Sequence, residues 1–300
     1  MSSVPIYIFG EVLFDCFPGG EKVLGGAPFN VAWHLQAFGA EPRFISRIGA
    51  DEAGREIEQA MSRWGMDGNN VQHDPTHPTG RVQVSINDGE PSYSIVPDCA
   101  YDFISRTELN GPFPAGILYH GSLCLRNPSP AEALATLISQ PGMKVFLDVN
   151  LRAPWWQKQQ IMAMLRSATW VKMNQDELQQ LSDSGTDLPQ QMASLQEKYE
   201  LEQLILTRGE QGALVRTANG ELHSIAPSQG ASPVDTVGAG DAFSAVYIRG
   251  LQTGLPIAET LNQNQQIASR VITLRGATTT DRKFYQGMTT TGLDGNGSPR

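Results

Sequence analysis

The segment from Asp235 to Asp241 has the composition of a phosphate-binding helix start. It reads Asp-Thr-Val-Gly-Ala-Gly-Asp and leads directly into apolar residues at helical spacing. Glycines there let the backbone N–H groups of a helix N-terminus converge on one anion, which the helix dipole also favours. Asp241 then lies in the first turn, where a carboxylate could accept a proton from an alcohol that attacks a bound phosphoryl group. The alternative is that Asp241 only interacts favourably with the helix dipole.

A second glycine-rich segment contains Gly25 and Gly26, which follow Asp15 and precede Asn30. The Asp15 carboxylate accepts hydrogen bonds from hydroxyls, and the Asn30 amide both donates and accepts, so the pair suits a polyhydroxylated ligand. Turn chemistry explains the same glycines, and capping of a helix N-terminus explains Asn30. The residues alone leave both interpretations open.

Two predicted strands end in further polar residues. Asn150 and Arg152 follow one of them, at the edge where open parallel sheets bind ligands. Arg152 could hold a phosphate or form an ion pair within its loop. Asn174 and Glu177 follow another strand at spacing i, i+3, which could order a hydrated magnesium ion or could be a helix-capping pair.

A third strand end carries Thr207, Gly209 and Gly212, which would bring the backbone close to a nucleotide or merely make a turn. The dinucleotide-binding fingerprint is matched only in part by Gly238 and Gly240, and the P-loop motif is absent from the sequence. The sequence also lacks the Gly-x-Ser-x-Gly motif of serine hydrolases.

Composition excludes several other classes of function. The chain has 300 residues, 40% of them hydrophobic, and a formal net charge of −9, with no stripe of Lys and Arg for binding a phosphate backbone. No apolar run approaches the length of about 18 residues that a membrane span needs. Three widely spaced cysteines indicate neither a disulfide framework nor a zinc site. We therefore expect a cytoplasmic protein that binds small molecules, with no nucleic acid or membrane partner.

The elements that must position these residues alternate between strand and helix, which predicts a parallel sheet with right-handed crossovers. Helices are predicted over 30–38 and 57–64 and from Ala239 and Pro256 onward. A hairpin over 81–97 interrupts the alternation, and a second hairpin is predicted over 213–225. The predicted strands of the main sheet are 4–9, 43–48, 117–119, 145–149, 170–173 and 204–207.

The chain resembles the ribokinase-like carbohydrate kinases, and among them the bacterial fructokinases, from Ile6 to about Thr278. The two glycine-rich segments carry the resemblance. It implies a three-layer sandwich in which a central, mostly parallel sheet is flanked by helices, plus a small β-sheet lid. It further implies a single domain over 1–285, with lid segments at about 12–24 and 81–103, and a flexible C-terminal tail over 286–300.

The resemblance also implies a role for each candidate residue. Asp241 would be the general base, with an anion hole formed by the N–H groups of Gly238, Ala239 and Gly240. The implied sugar-binding residues are Asp15, Gly25, Gly26, Asn30, Asn150, Arg152 and Tyr101, the last as a stacking platform. The implied nucleotide-binding residues are Asn174, Thr207, Gly209, Gly212, Gly238, Gly240 and Gln265. Glu177 would bind magnesium through water, and the backbone of Asp235 and Val237 a monovalent cation such as potassium.

The implied reaction is transfer of the γ-phosphate of ATP to a hydroxymethyl group of a small sugar, with D-fructose as the first candidate. Alternatives are 2-keto-3-deoxygluconate, ribose, a nucleoside, or a catalytically silent sensor of the same fold. The resemblance also implies a homodimer that pairs through the lid. One departure concerns residues 263–266, which read Gln-Asn-Gln-Gln where relatives have small residues near the adenine.

Overall fold

Thirteen strands and eight α-helices make up the part of the chain that the computed structural model describes, residues 3–87, 90–182, 187–226 and 237–287. The strands are β1 Ile6–Phe9, β2 Leu13–Cys16, β3 Lys22–Gly25, β4 Arg43–Gly49, β5 Val71–Asp74, β6 Gly80–Asn87, β7 Glu90–Ile95, β8 Ile117–His120, β9 Lys144–Asp148, β10 Trp170–Asn174, β11 Gln203–Thr207, β12 Ala213–Thr217 and β13 Leu222–Ile225. The helices are α1 Ala27–Ala37, α2 Glu52–Trp64, α3 Pro128–Ile138, α4 Lys158–Ser167, α5 Gln175–Leu181, α6 Leu188–Tyr199, α7 Ala239–Thr253 and α8 Ile257–Val271.

The main sheet has the strand order β13-β12-β11-β10-β9-β8-β1-β4-β5. All neighbours from β11 to β5 are parallel, whereas β12 and β13 form an antiparallel hairpin at one edge. Parallel strands place their carboxyl ends at one edge of the sheet, where ligands bind in open α/β folds. The expected mostly parallel sheet is confirmed.

Helices cover both faces of this sheet, which explains why its central strands are mostly apolar. In β1, Ile6 and Ile8 point to one core, while Tyr7 and Phe9 point to the other. The first core includes side chains of α1, α2, α7 and α8, and the second those of α3 to α6. Strand side chains alternate between the faces with a period of two, so each of the strands β1, β4 and β8 to β12 contributes to both cores.

A separate four-stranded sheet, β3-β2-β6-β7, is the expected lid. Asp15 lies opposite Val82, and Val82 lies opposite Ile95, so these three side chains share one face. The chain enters this sheet directly from β1 through residues 10–12. The lid is therefore continuous with the centre of the main sheet.

Two local expectations differ from the structure. Helix α1 begins at Ala27 because Gly26, at φ +106°, is its N-cap and Pro28 occupies its first turn. Asn30 consequently lies inside the helix and does not cap it. Residues 100–103, which we expected in the lid, form a short 3-10 helix, and its Tyr101 belongs to the second core.

Within the described residues, no helix is both long enough and apolar enough to cross a membrane. The C-terminal tail lies outside the described residues from position 288 onward, as does the tip of the lid hairpin at 88–89.

Candidate active site

A cavity of about 610 Å³ lies at the carboxyl ends of the central strands and is closed on one side by the lid. Residues at or directly after the ends of β1, β9, β10 and β11 all contribute to its wall. It brings together most of the residues singled out from the sequence. These are Asp15, Gly26, Asn30, Asn150, Arg152, Asn174, Glu177, Thr207, Val237, Gly238, Gly240 and Asp241.

Asp241 lies in the first turn of α7 and lines this cavity. The Asn30 side-chain Nδ2 donates a hydrogen bond of 2.8 Å to its Oδ2, which joins the two glycine-rich segments across 211 residues of sequence. Burial raises the pKa of Asp241 to about 6, although the Asn30 hydrogen bond and the charges of Lys172 and Arg152 oppose that rise. A carboxylate with this pKa is ionised at neutral pH and still basic enough to accept a proton from a hydroxyl.

Directly beside Asp241 is a buried ion pair between Lys172 of β10 and Asp148 of β9. Lys172 Nζ lies 3.0 and 2.9 Å from the two carboxylate oxygens of Asp148. The Ser244 hydroxyl of α7 donates to Asp148 Oδ2 at 2.8 Å. Burial alone would lower the pKa of Lys172, but the neighbouring Asp148 raises it. The ammonium group therefore stays charged and faces the same cavity as Asp241.

The first turn of α7 presents backbone N–H groups that could bind an anion. The first N–H groups of a helix have no partner within the helix, so those of Ala239, Gly240 and Asp241 are available to a ligand. Gly238 caps the helix at φ +81°, and a Cβ there would lie 2.3 Å from the Cβ of Ala277. The backbone of Gly240 does not require a glycine. A Cβ there would lie 3.5 Å from Lys172 Nζ, so the absence of a side chain leaves open the space in front of that ammonium group.

Gly238→Ala is expected to destabilise the protein by about 2–5 kcal/mol. The cost of a non-glycine residue in the left-handed region adds to the cost of overpacking against Ala277. The matched control is Gly254→Ala at the other end of α7, where φ is +69° and no described atom lies within 4 Å. That variant should lose only about 1–2 kcal/mol. Urea denaturation measures both, and equal losses would contradict the close contact at Gly238.

Asn174 and Glu177 form a reciprocal capping pair at the start of α5. Asn174 Oδ1 accepts from the Glu177 N–H, and Glu177 Oε2 accepts from the Asn174 N–H, each at 2.8 Å. Glu177 Oε1 accepts from the Leu151 N–H at 2.8 Å. Burial raises the pKa of Glu177, and these N–H donors oppose that shift. The capping interpretation is confirmed, and the carboxylate also faces the cavity.

Several candidate residues lie away from the cavity wall. Tyr101 is fully buried, and its hydroxyl accepts a hydrogen bond from Arg126. Gly212 lies in the turn after β11, where a Cβ would collide with the Ile225 carbonyl. The Gln265 amide donates to the Ala226 carbonyl. Gly25, Gly209 and Ala239 are also absent from the wall that the described residues form, and Asp235 lies outside those residues.

The cavity wall also contains polar residues to which no specific role was assigned from the sequence, among them Glu11, Lys172 and Tyr93. Glu11 follows β1, Lys172 lies in the middle of a buried strand, and Tyr93 of β7 is 53% exposed. The alternation of Tyr93 with Ile95 in the lid hairpin was a usable signal for Tyr93. Among the described residues, no group of three His, Cys, Asp or Glu side chains is arranged to hold a metal ion.

This three-layer fold, a mostly parallel sheet between helices with a separate four-stranded sheet, is that of a ribokinase-like kinase. The sequence profile described as the pfkB family carbohydrate kinases matches residues 17–283. The chain belongs to this family, and it is a carbohydrate kinase of the fructokinase-like type.

Individual relatives match over almost their whole length. The fructokinase of Salmonella typhimurium is 31% identical over 294 residues, which are 91% of this chain and 95% of that protein. The fructokinase of Escherichia coli is 30% identical and covers 92% and 96% of the two chains. The crystal structure of fructokinase from Vibrio cholerae O395 with fructose, ADP and calcium superposes with a TM-score of 0.83 at 24% identity, over 95% of this chain and 99% of that one.

A second solved structure is aminoimidazole riboside kinase from Salmonella enterica, complexed with aminoimidazole riboside and an ATP analogue. Its TM-score is 0.80 at 25% identity, and the match covers 91% of this chain and 95% of that one. The expected family, fold and enzyme class are therefore confirmed.

Proposed function

We propose that the protein transfers the γ-phosphate of ATP to a hydroxymethyl group of a small sugar, with D-fructose as the first candidate. The observation that carries the proposal is Asp241, which lines the cavity beside the N-terminus of α7 and accepts a hydrogen bond from Asn30. A protein that only binds ligands has no need for a base beside an anion-binding helix start. The fructokinases at 30% and 31% identity support the choice of sugar.

In the proposed reaction, Asp241 accepts the proton of the attacking sugar hydroxyl. The N–H groups at the start of α7 hydrogen-bond the oxygens of the transferring phosphoryl group, where negative charge is concentrated. The exposed Arg152 guanidinium lies close enough to lower the pKa of Asp241, and we assign it to the phosphate at the cavity mouth. Asp15 and Asn30 bind sugar hydroxyls, while the lid excludes water and so suppresses hydrolysis of ATP.

Glu177 fits a magnesium ion that is bound through water. Each of its oxygens accepts one backbone N–H, which leaves a second lone pair on each, and the carboxylate faces the cavity. Hydrated magnesium suits such outer-sphere contacts because it keeps several of its waters. When bound, the magnesium ion would neutralise negative charge on the triphosphate. Glu177 contributes the negative charge that holds it, and Asn174 fixes the start of α5 beside it.

Glu177→Gln is expected to raise the magnesium concentration for half-maximal activity by about tenfold, because a neutral amide loses one charge–charge attraction, worth about 1.4 kcal/mol. The KM for sugar should stay within twofold. The control is Glu259→Gln, which makes the same change at an exposed position in the first turn of α8. A magnesium titration of ADP release separates the two. An unchanged magnesium requirement would restrict Glu177 to its capping role.

Three further properties remain proposals. We propose a monovalent cation, such as potassium, at the backbone of Asp235 and Val237. We propose a homodimer that pairs through the lid, whose sheet ends in the two edge strands β3 and β7. We propose a cytoplasmic location, supported by the three free cysteines.

The experiment that tests the function is ADP release by purified protein with Mg-ATP across a sugar panel. The panel contains D-fructose, D-ribose, 2-keto-3-deoxygluconate and a ribonucleoside. We expect turnover that depends on D-fructose. Turnover with another member of the panel would identify that compound as the substrate and would leave the proposed phosphoryl transfer unchanged. Binding of ATP without sugar-dependent ADP release would instead favour a silent sensor.

A further inference from the structure

Glu11 is a buried acidic side chain that the proposed mechanism does not use. It lies between β1 of the main sheet and β2 of the lid, is 3% exposed, and lines the cavity. Its Oε2 atom has no hydrogen-bond partner among the described residues. Leaving a buried carboxyl oxygen unpaired is costly, so such an atom in the wall of a cavity indicates a contact that a ligand completes.

Glu11 lies at the end of the cavity that contains the proposed sugar-binding residues. Its carbonyl oxygen would lie 2.7 Å from a Cβ on Gly26, so the Glu11 backbone packs directly against the glycine-rich segment. A Cβ on the adjacent Gly25 would lie 3.5 Å from Asp15 Oδ2. One turn into α1, Asn30 binds Asp241. Glu11 therefore shares its surroundings with the residues proposed to hold the sugar and to activate its hydroxyl.

Several charged and titratable groups face Glu11 from the elements around it. Burial raises the pKa of Glu11 to about 7, and Asp241 of α7 raises it further. Arg152, after β9, and Arg126, after β8, oppose the rise. Its other titratable neighbours are Tyr101, Tyr119 and Cys124, whose own pKa values Glu11 raises. Near neutral pH the carboxyl is thus partly protonated, and a protonated carboxyl both donates and accepts a hydrogen bond.

We propose that Glu11 hydrogen-bonds a hydroxyl of the substrate and selects an uncharged sugar over one that carries a carboxylate or phosphate at that position. This inference rests on the proposed kinase function. A hydroxyl matches a carboxyl group that donates and accepts, whereas an anionic group would face Glu11, Asp15 and Asp241 together. Between two of the candidate substrates, the pocket thereby favours D-fructose over 2-keto-3-deoxygluconate, which is a sugar acid.

The test compares Glu11→Ala with Glu11→Gln, whose amide keeps the volume and both hydrogen-bonding roles. Removing the contact should raise the KM for D-fructose at least tenfold in Glu11→Ala, while the KM for ATP stays within twofold. Glu11→Gln should keep the KM for D-fructose within about threefold, since its amide can still donate to and accept from the sugar hydroxyl. The preference for D-fructose over 2-keto-3-deoxygluconate, as a ratio of kcat/KM, should fall in Glu11→Ala. An unchanged sugar KM, or equal rises for sugar and ATP, would overturn the inference.

A binding measurement covers the case in which Glu11→Ala does not fold. Calorimetric titration of D-fructose into wild-type protein between pH 6.5 and 8.5 should show weaker binding as pH rises, because Glu11 loses its donor. Glu11→Gln should bind independently of pH in that range. If the affinity of the wild type for D-fructose did not change with pH in this range, the inference would be overturned. Wild-type protein that neither binds nor phosphorylates any sugar of the panel would instead refute the proposed function, and the inference with it.

Discussion

Asp241→Asn is expected to lower kcat by about 10²–10⁴-fold, the usual contribution of a general base. The substitution is isosteric, and the new amide oxygen can still accept the hydrogen bond from Asn30 Nδ2. The fold and the KM for sugar should therefore change little, and the loss should appear in kcat. Steady-state ADP release with D-fructose and Mg-ATP measures it.

The matched control for this variant is Asp176→Asn. Asp176 also lies in the first turn of a helix, α5, but it is exposed and does not line the cavity. If Asp241 only stabilised the helix dipole, the two variants would behave alike. A loss of less than tenfold in Asp241→Asn would contradict its role as a base.

The same assignment predicts an acidic limb in the pH profile. Because the pKa of Asp241 lies at about 6, its carboxylate becomes protonated as pH falls through 6, and kcat/KM should fall with it. Asp241→Asn should lose this limb, whereas Asp176→Asn should keep it.

Much of the fold could be predicted from the sequence because local patterns and burial agree in these segments. Strand β4 is a short segment that contains Phe44, Ile45 and Ile48, and helix α2 has apolar residues at i, i+3, i+4 and i+7 and ends at Gly65, a glycine at φ +82°. The lid hairpin was recognisable because alternating residues replaced the continuous apolar runs of the buried strands. These features depend on neighbours within about ten residues, which is the range that a sequence pattern reports.

What could not be predicted depends on contacts between distant segments. Asn30 has the residue type of a helix cap, but its partner Asp241 is 211 positions away. Tyr101 is of a residue type that could stack on a sugar ring, yet it is buried in the second core together with Cys99 and Ile104. The fold thus separates Tyr101 from Tyr93, the lid tyrosine that lines the cavity.

Lys172 illustrates the same limit in the active site. From the sequence, a single lysine within an apolar strand would be assigned to a solvent-exposed position. Its ion-pair partner, Asp148, lies on a neighbouring strand 24 residues earlier in the chain. The side chain is 7% exposed and ion-paired with Asp148. Buried lysines occur almost only with such a partner, so the unusual composition of the strand was the available signal.

Lys172→Met is expected to destabilise the protein by about 3–5 kcal/mol, because it leaves the buried Asp148 carboxylate without its counter-charge. Asp148 would keep the hydrogen bond from Ser244 and the longer one, 3.4 Å, from Tyr119. The double variant Lys172→Met/Asp148→Asn removes both charges, so it should recover part of the lost stability. Urea denaturation of the single and double variants measures this coupling.

Activity gives a second, independent readout of the same pair. Lys172 lowers and Asp148 raises the pKa of Asp241, so Lys172→Met should move the acidic limb of kcat/KM to higher pH. The double variant should move it back, since the two charges act on Asp241 with opposite sign. Lys144→Met is the control, because its ion pair with Glu202 is about half exposed, at 51% and 49%, and such surface pairs contribute only about 0–1 kcal/mol. If Lys172→Met lost no more stability than Lys144→Met and kept the wild-type pH profile, the buried pair would have no role in setting the charge of the catalytic carboxylate.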